Sequence, residues 1–335
     1  MTSNSGSLQA AFKGRRVLVT GGMGFIGSNL SARLCELGAD VAIFDCLLPG
    51  SGANEANIEP FRRRVRTMVG DLRDASAVRE AVRGTDYIFN LAGQISHVRS
   101  MQDPFTDQAI NCFGQLNLVQ AWKELAPAAK VVYSGTRQQY GRPLYVPMNE
   151  DHPLTLSDVN AIHKTAAESY HLLYARVHGL RAVSLRLTNT YGPRMLIRTP
   201  EQTFLGWFVH QAMTGKTIEV FGDGLQRRDL TYVADAVEAM LLVATRPEAD
   251  GQVFNVSGPE PITLWQVAEA TVRLTGRGTC TRIPFPAERK KIDIGDAFSD
   301  GSKLSRTVGW TPTTSLEDGL RETIAFYRAN WERYA

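Results

Sequence analysis

Residues 17–27 read VLVTGGMGFIG, a short aliphatic run that enters a turn holding glycine at 21, 22, 24 and 27. Leu30, Leu34 and Leu37 follow at helical spacing up to Gly38, and Val41-Ala42-Ile43-Phe44 then resumes as a continuous apolar run. Strand, glycine turn, helix and second buried strand make a βαβ unit. Gly38 suits the left-handed residue that closes a helix.

Working outward, the alternation continues. Val65–Val69 predicts a strand, 75–82 a helix, 87–89 a strand, 107–125 a helix and 130–133 a further strand. Apolar strands between amphipathic helices predict a parallel sheet covered on both faces, an α/β doubly wound fold of the Rossmann type. Beyond about residue 192 the loops lengthen and fill with Gly, Pro and charge, as in Gly192-Pro193-Arg194 and Gly222-Asp223-Gly224. A smaller C-terminal substrate-binding lobe is placed there: 192–227 and 258–335, against a Rossmann domain of 12–191 plus about 228–257. The polar N-terminus, residues 1 to about 12, reads as a flexible tail.

Composition bounds the partners. Against 37 basic residues stand 34 acidic ones, a net charge of +3 over 335 residues, too even to indicate nucleic acid or an anionic membrane. Arg62-Arg63-Arg64 reads as a solvated face. Cys35, Cys46, Cys112 and Cys280 lie far apart with no CxxC pair and no clustered histidines, so neither a zinc site nor a disulfide framework is indicated. No apolar leader or membrane-length run occurs, and the expected compartment is the cytoplasm.

Gly22-x-Gly24-x-x-Gly27 gains meaning from its place between a strand and a helix. There the backbone can approach a pyrophosphate at the positive end of the helix dipole. Asp45 closes the second strand about 20 residues on, where a carboxylate accepts from adenosine ribose hydroxyls and repels a 2′-phosphate, so NAD is expected over NADP.

Residues 20–27, TGGMGFIG, resemble the opening of the extended short-chain dehydrogenase/reductases, the NAD-dependent nucleotide-sugar epimerases and dehydratases. The resemblance runs through most of the chain. It implies that Gly21, Gly24, Phe25, Ile26 and Gly27 hold the cofactor. Within Gly70-Asp71-Leu72, it makes Asp71 and Leu72 the adenine contact, and it sets Leu91, Ala92 and Gly93 beneath the cofactor. Ser96-His97-Val98 is similar to the substrate-side loop, which makes Ser96 and His97 substrate contacts. Residues 185–194, LRLTNTYGPR, and 221–229, FGDGLQRRD, are similar to two sugar-nucleotide segments. Asn189 should thereby meet the diphosphate or sugar, and Arg228 a diphosphate oxygen through its fork of donors. Arg289 is a weaker match on the same logic, and the alternative for Arg228 is a surface pair with Asp229.

In that family a Ser or Thr, a Tyr and a Lys act together, the Tyr exchanging a proton with a sugar hydroxyl. Thr136 matches the hydroxyl position and Lys164 the lysine. The Tyr does not match: four residues before Lys164 stands Asn160, whose amide has no proton to exchange near neutral pH. Three readings stay open. Another side chain is the base, with His163 beside Lys164 or Tyr140 as candidates; or Asn160 orients the sugar or a water while protons move through Thr136; or the chain binds without turnover. Family members that eliminate water or carbon dioxide carry an acid just after the Thr, where this chain has Arg137 and Gln138. Epimerisation through a transient keto-sugar is therefore favoured over dehydration and decarboxylation. Arg137 facing the sugar would pair with a carboxylate such as that of a uronic acid.

Gly215-Lys216-Thr217 lacks the earlier glycine of a P-loop, since His210 stands there, and is rejected. Trp207 and Phe208 read as core or dimer contact. The implied partners are a nucleotide-diphosphate sugar and a second copy, since homodimers are usual in the family.

Overall fold

The computed structural model describes residues 2–200, 203–286, 290 and 293–335. Helix α1 (Thr2–Phe12) precedes β1 (Arg16–Thr20), which the glycine turn joins to α2 (Phe25–Glu36) and β2 (Asp40–Asp45). Then come β3 (Val65–Val69), α3 (Ala75–Val82), β4 (Tyr87–Asn90), α4 (His97–Gln102) and α5 (Pro104–Gln108). The Rossmann part continues through α6 (Gly114–Leu125), β5 (Lys130–Thr136), α7 (Val159–His178) and β6 (Arg181–Leu187).

After β7 (Asn189–Tyr191) come α8 (Phe204–Met213), β8 (Thr217–Phe221), β9 (Arg227–Tyr232), α9 (Val233–Thr245) and β10 (Val253–Val256). The chain closes with β11 (Pro261–Thr263), α10 (Leu264–Thr275), β12 (Thr279–Ile283), α11 (Ser302–Val308) and α12 (Leu316–Tyr334).

Seven strands form one sheet in the order β10-β6-β5-β4-β1-β2-β3, every pair parallel. Alternate side chains serve opposite faces. Val17, Val19 and Ile43 pack with Leu30 and Leu34 of α2 and with α9, whereas Leu18, Ala42 and Phe44 pack with Val82 of α3 and Leu118 and Trp122 of α6. Strand order reverses between β1 and β4, which leaves a crevice at their C-terminal ends, the usual ligand position in such sheets. Thr20 spans that gap: its hydroxyl donates to Asn90 Oδ1 at 2.8 Å and accepts the Leu91 and Ala92 N–H groups, each at 3.1 Å.

Two expectations change. Residues 2–12 form α1 in place of the expected flexible tail: Leu8 and Phe12, one helical turn apart, are fully buried and the Phe12 ring lies 4.9 Å from Tyr87. The helix expected over 107–125 is broken into α5, a π-helical turn at Ala109–Phe113, and α6. That turn directs Asn111 inward, where its amide donates to the Gln94 carbonyl at 2.8 Å and to Asp107 Oδ2 at 3.1 Å. Inserted turns of this kind recur at functional sites.

Two smaller sheets, β11-β9-β7 and β12-β8, lie beyond the large one. Trp207 stacks on His210 and His210 on Trp331, tying α8 to α12 within the chain. Among the described residues no helix is long and apolar enough to cross a membrane.

Candidate active site

A cleft of about 300 Å³ opens at the strand-order reversal, and the glycine turn forms its floor. Gly21 has φ +68°, and a Cβ there would lie 2.9 Å from the Ala92 nitrogen, so both backbone angle and close approach require glycine. A Cβ on Gly27 would collide with the Gly21 carbonyl oxygen, which lets α2 start tight against the turn. Gly24 caps α2 without a side-chain bond, leaving the first N–H groups of the helix, on Phe25, Ile26 and Gly27, beside the cleft. Such groups attract an anion.

Asp45 stands at the end of β2, buried on the cleft wall, where Leu47 N–H reaches Oδ1 and Met23 N–H reaches Oδ2, both at 2.9 Å. Burial raises its carboxyl, and the two backbone donors oppose that. Each oxygen keeps a lone pair for a hydroxyl. Asp71 and Leu72 line the same end; Arg73, bonded to Asp71 at 2.6 Å, holds that carboxyl below its usual range against burial. Leu91, Ala92 and Gly93 continue the wall. An anion cradle at a helix start with a carboxylate at the next strand end fits a dinucleotide.

At the inner end lie Thr136, Lys164 and Asn160. Thr136 ends β5, and its hydroxyl accepts the Gln138 N–H at 3.3 Å, which leaves the hydroxyl proton to give. Lys164 Nζ donates to the Ser134 carbonyl at 2.8 Å and sits 4.8 Å above the Tyr133 ring. Burial drives its ammonium down to about 8, with Asp107 and Glu168 acting in the opposite direction. The buried Glu168 is held by Arg186 Nη2 at 2.6 Å and by the Ser184 hydroxyl at 2.7 Å, which fastens α7 to β6. Asn160 Nδ2 is committed to the Gln94 carbonyl at 2.8 Å and to Asp107 Oδ2 at 3.0 Å; its Oδ1 has no protein partner among the described residues.

The two side chains read as replacement bases are not among those lining the cleft. Tyr140 is fully buried, donates its phenol to Asn255 Oδ1 at 2.7 Å and lies under Arg186; burial pushes its phenol up to about 12, which corrects its reading as a base. His163 turns its Nδ1 to Asp107 Oδ1 at 2.7 Å, on the far side of the buried polar cluster.

On the substrate side, His97, Arg137 and Asn189 line the cleft, but Ser96 does not. Ser96 is buried and spends its hydroxyl as the cap of α4, accepting from Arg99 N–H at 3.3 Å. Arg137 makes no hydrogen bond or ion pair through its guanidinium among the described residues. Arg228 is buried and donates to the Arg227 carbonyl at 2.8 Å and to the Gly295 carbonyl at 2.5 Å; neither a cleft position nor an ion pair with Asp229 is found among the described residues. Burial lowers it to about 10, helped by the neighbouring charge of Arg137. Arg289 lies outside the described residues.

Two residues were missed in the sequence. Asp107 is a fully buried carboxylate bonded by Gln94, Asn111, Asn160 and His163. Asp158 caps α7 by accepting Ala161 N–H at 2.8 Å, and its Oδ2 takes Gln138 Nε2 at 2.7 Å and lies 3.2 Å from His97 Nδ1. An Asp two residues before Asn160 is an ordinary capping signal; nothing local marks Asp107.

Residues 17–257 match the NAD dependent epimerase/dehydratase family. UDP-glucose 4-epimerase of Mycolicibacterium smegmatis is 32% identical over 318 residues, covering 93% of this chain and 98% of that protein. Among solved structures, an epimerase of Methanothermobacter thermautotrophicus superposes with a TM-score of 0.91 at 26% identity, over 98% of this chain and 97% of its own. UDP-glucose 4-epimerase of Thermus thermophilus, solved as a complex with NAD, gives 0.82 at 30% identity, over 93% and 99%.

Proposed function

The chain belongs to the NAD dependent epimerase/dehydratase family, and from that premise we propose that it epimerises a nucleotide-sugar by oxidising and re-reducing one sugar carbon. The observation that carries this reading is that Thr136 and Lys164 share one cleft with the glycine turn and Asp45. NAD, when bound, would supply the hydride acceptor and donor.

The chain's own residues bind and orient. The free N–H groups at the start of α2 would hold the pyrophosphate, Asp45 the adenosine ribose, and Asp71 and Leu72 the adenine. Lys164, beside Gly93 on the cleft wall, would hold the nicotinamide ribose. Thr136 directs its hydroxyl at the reacting sugar oxygen, and Asn160 offers Oδ1 as an acceptor for the sugar or a water. Asn189 and Arg228 serve the diphosphate; for Arg228 this needs its guanidinium to leave the Gly295 carbonyl.

Arg137 and Gln138, where eliminating relatives have an acid, support epimerisation over loss of water or carbon dioxide. The unpaired Arg137 favours a more specific substrate, a sugar that carries a carboxylate. Incubation with UDP-glucose, UDP-glucuronic acid and dTDP-glucose, followed by chromatography with mass detection, tests both points. Unchanged mass with altered retention is the expected result. Loss of water or carbon dioxide means elimination instead, and tight binding with no product means a binder.

The division into 12–191 with about 228–257, and 192–227 with 258–335, is supported by α9 and β10 rejoining the large sheet, although β9 pairs with β7 and β11. A homodimer through α7 is supported by Ile162, Leu173 and Val177, apolar residues exposed on that helix. Light scattering of the purified protein checks the dimer.

A further inference from the structure

We propose that His97, backed by Asp158, exchanges the proton with the reacting sugar hydroxyl in the role that Asn160 cannot fill. This rests on the epimerase reading above. His97 is the sole imidazole among the described residues lining the cleft. The other titratable groups there are differently engaged: Asp45, Cys46 and Asp71 stand at the adenosine end, Lys164 is fixed on the Ser134 carbonyl, and Arg137 is a permanent cation.

The geometry is that of an oriented base. His97 Nδ1 is shielded from solvent 3.2 Å from Asp158 Oδ2, within ion-pair range though off the line of a hydrogen bond. The His97 side chain as a whole is 38% exposed and lines the cleft. Asp158 is itself fixed by Ala161 N–H and Gln138 Nε2. Burial raises the Asp158 carboxyl, but His97 and these donors outweigh that and hold it below its usual range.

Gln138 also gives its backbone N–H to Thr136 Oγ1, so His97 and Thr136 stand on one connected wall. The Ser100 hydroxyl donates to the His97 carbonyl at 2.8 Å and accepts Asn160 N–H at 3.2 Å, which ties His97 to the place where the family's phenol stands. The charged groups on the elements packed around it are Arg99 on α4, Asp103 and Asp107 at α5, Asp158, His163 and Lys164 at α7, and Arg137 after β5. Of these, Asp158 is the one within ion-pair distance of the ring among the described residues.

The step balances within the site. As the sugar O–H bond breaks, its proton passes to Nε2 and its electron pair forms the carbonyl, while the C–H pair would leave as the hydride that NAD, when bound, would accept. The imidazolium is stabilised by the charge of the Asp158 carboxylate beside Nδ1. Reversal on the opposite face of the carbonyl gives the epimer with no outside oxidant.

The test uses the full chain with NAD and the three nucleotide-sugars named above. His97→Ala and His97→Gln are expected to lower kcat by about 10²- to 10⁴-fold, with NAD retention and UDP affinity kept. Added imidazole should restore part of the His97→Ala loss. Asp158→Asn should shift the acid limb of the kcat profile to lower pH, because the imidazolium loses its counter-charge. His97 variants within about threefold of wild type, with the acid limb in place, overturn the assignment. If neither His97 variant folds, an unmoved acid limb in Asp158→Asn overturns it. A wild-type protein that converts no nucleotide-sugar overturns the epimerase reading and this role together, whereas active wild type with unaffected variants overturns this role alone.

Discussion

Asn160 gives its side-chain amide to the Asp107 carboxylate at 3.0 Å, and the same carboxylate receives His163 Nδ1 at 2.7 Å. The residue in the tyrosine's place is thus one donor in a buried polar cluster. Asn160→Tyr should therefore not restore a working phenol. The larger ring must displace the Gln94 and Asp107 contacts of a residue that is 2% exposed, at a cost of about 1–3 kcal/mol. Lower thermal stability and no gain in turnover are expected. A large gain in kcat would show that the natural chain had set oxidation aside.

His163→Ala separates structure from catalysis. Its ring is oriented to a fully buried carboxylate and is absent from the cleft lining. Removal leaves Asp107 with three amide donors, so stability should fall by about 1–3 kcal/mol in denaturant unfolding. Turnover of the folded variant should stay within about threefold with its pH dependence unaltered. Loss of the acid limb in this variant would make His163 the base after all.

The sheet and its cofactor turn were legible because they rest on local pattern: residues 17–27, the run 41–44 and Asp45 carry periodicity and spacing that survive without tertiary context. The buried cluster was not legible, because Asp107, Asn111 and Gln94 are ordinary polar residues until α5, the π-helical turn at 109–113 and the loop after β4 bring them together. Tyr140 looked reactive in sequence and is a core residue, since the turn after Thr136 points it at Asn255. His97 was visible as a substrate contact, but its partner Asp158 lies 61 positions away and is joined to it only by the packing of α4 against α7.

Lys164 lowers the stability of the cofactor-free fold at neutral pH. Its amine titrates near 8 when buried and near ~10.4 in an unfolded chain. Between these values the unfolded state binds more protons, so this site's contribution to stability rises with pH across that window. Lys164→Met should flatten that rise and stabilise the cofactor-free protein at pH 7. It should also release NAD and abolish turnover. Unfolding at pH 7 and pH 9.5, with cofactor retention on gel filtration, checks both arms, and an unchanged pH slope would remove the buried ammonium as its cause.

Arg137 and Asp229 make substrate charge testable. Arg137 faces the cleft without a protein partner among the described residues, while the Asp229 carboxyl is raised by burial to about 6 despite the opposing pull of Arg137. Above that pH Asp229 is ionised and offsets part of the arginine's field; below it the field acts on the ligand alone. KM for UDP-glucuronic acid should accordingly fall as pH drops through 6. Asp229→Asn should give the low-pH value at every pH. Arg137→Gln removes a charge-assisted contact of about 1.5–3 kcal/mol, so KM for the uronate should rise roughly 10- to 150-fold. UDP-glucose, which has no carboxylate, should change by no more than about threefold. Equal losses for both sugars would place Arg137 on the shared diphosphate, and with it the cleft's unpaired charge at the phosphate end instead of the sugar.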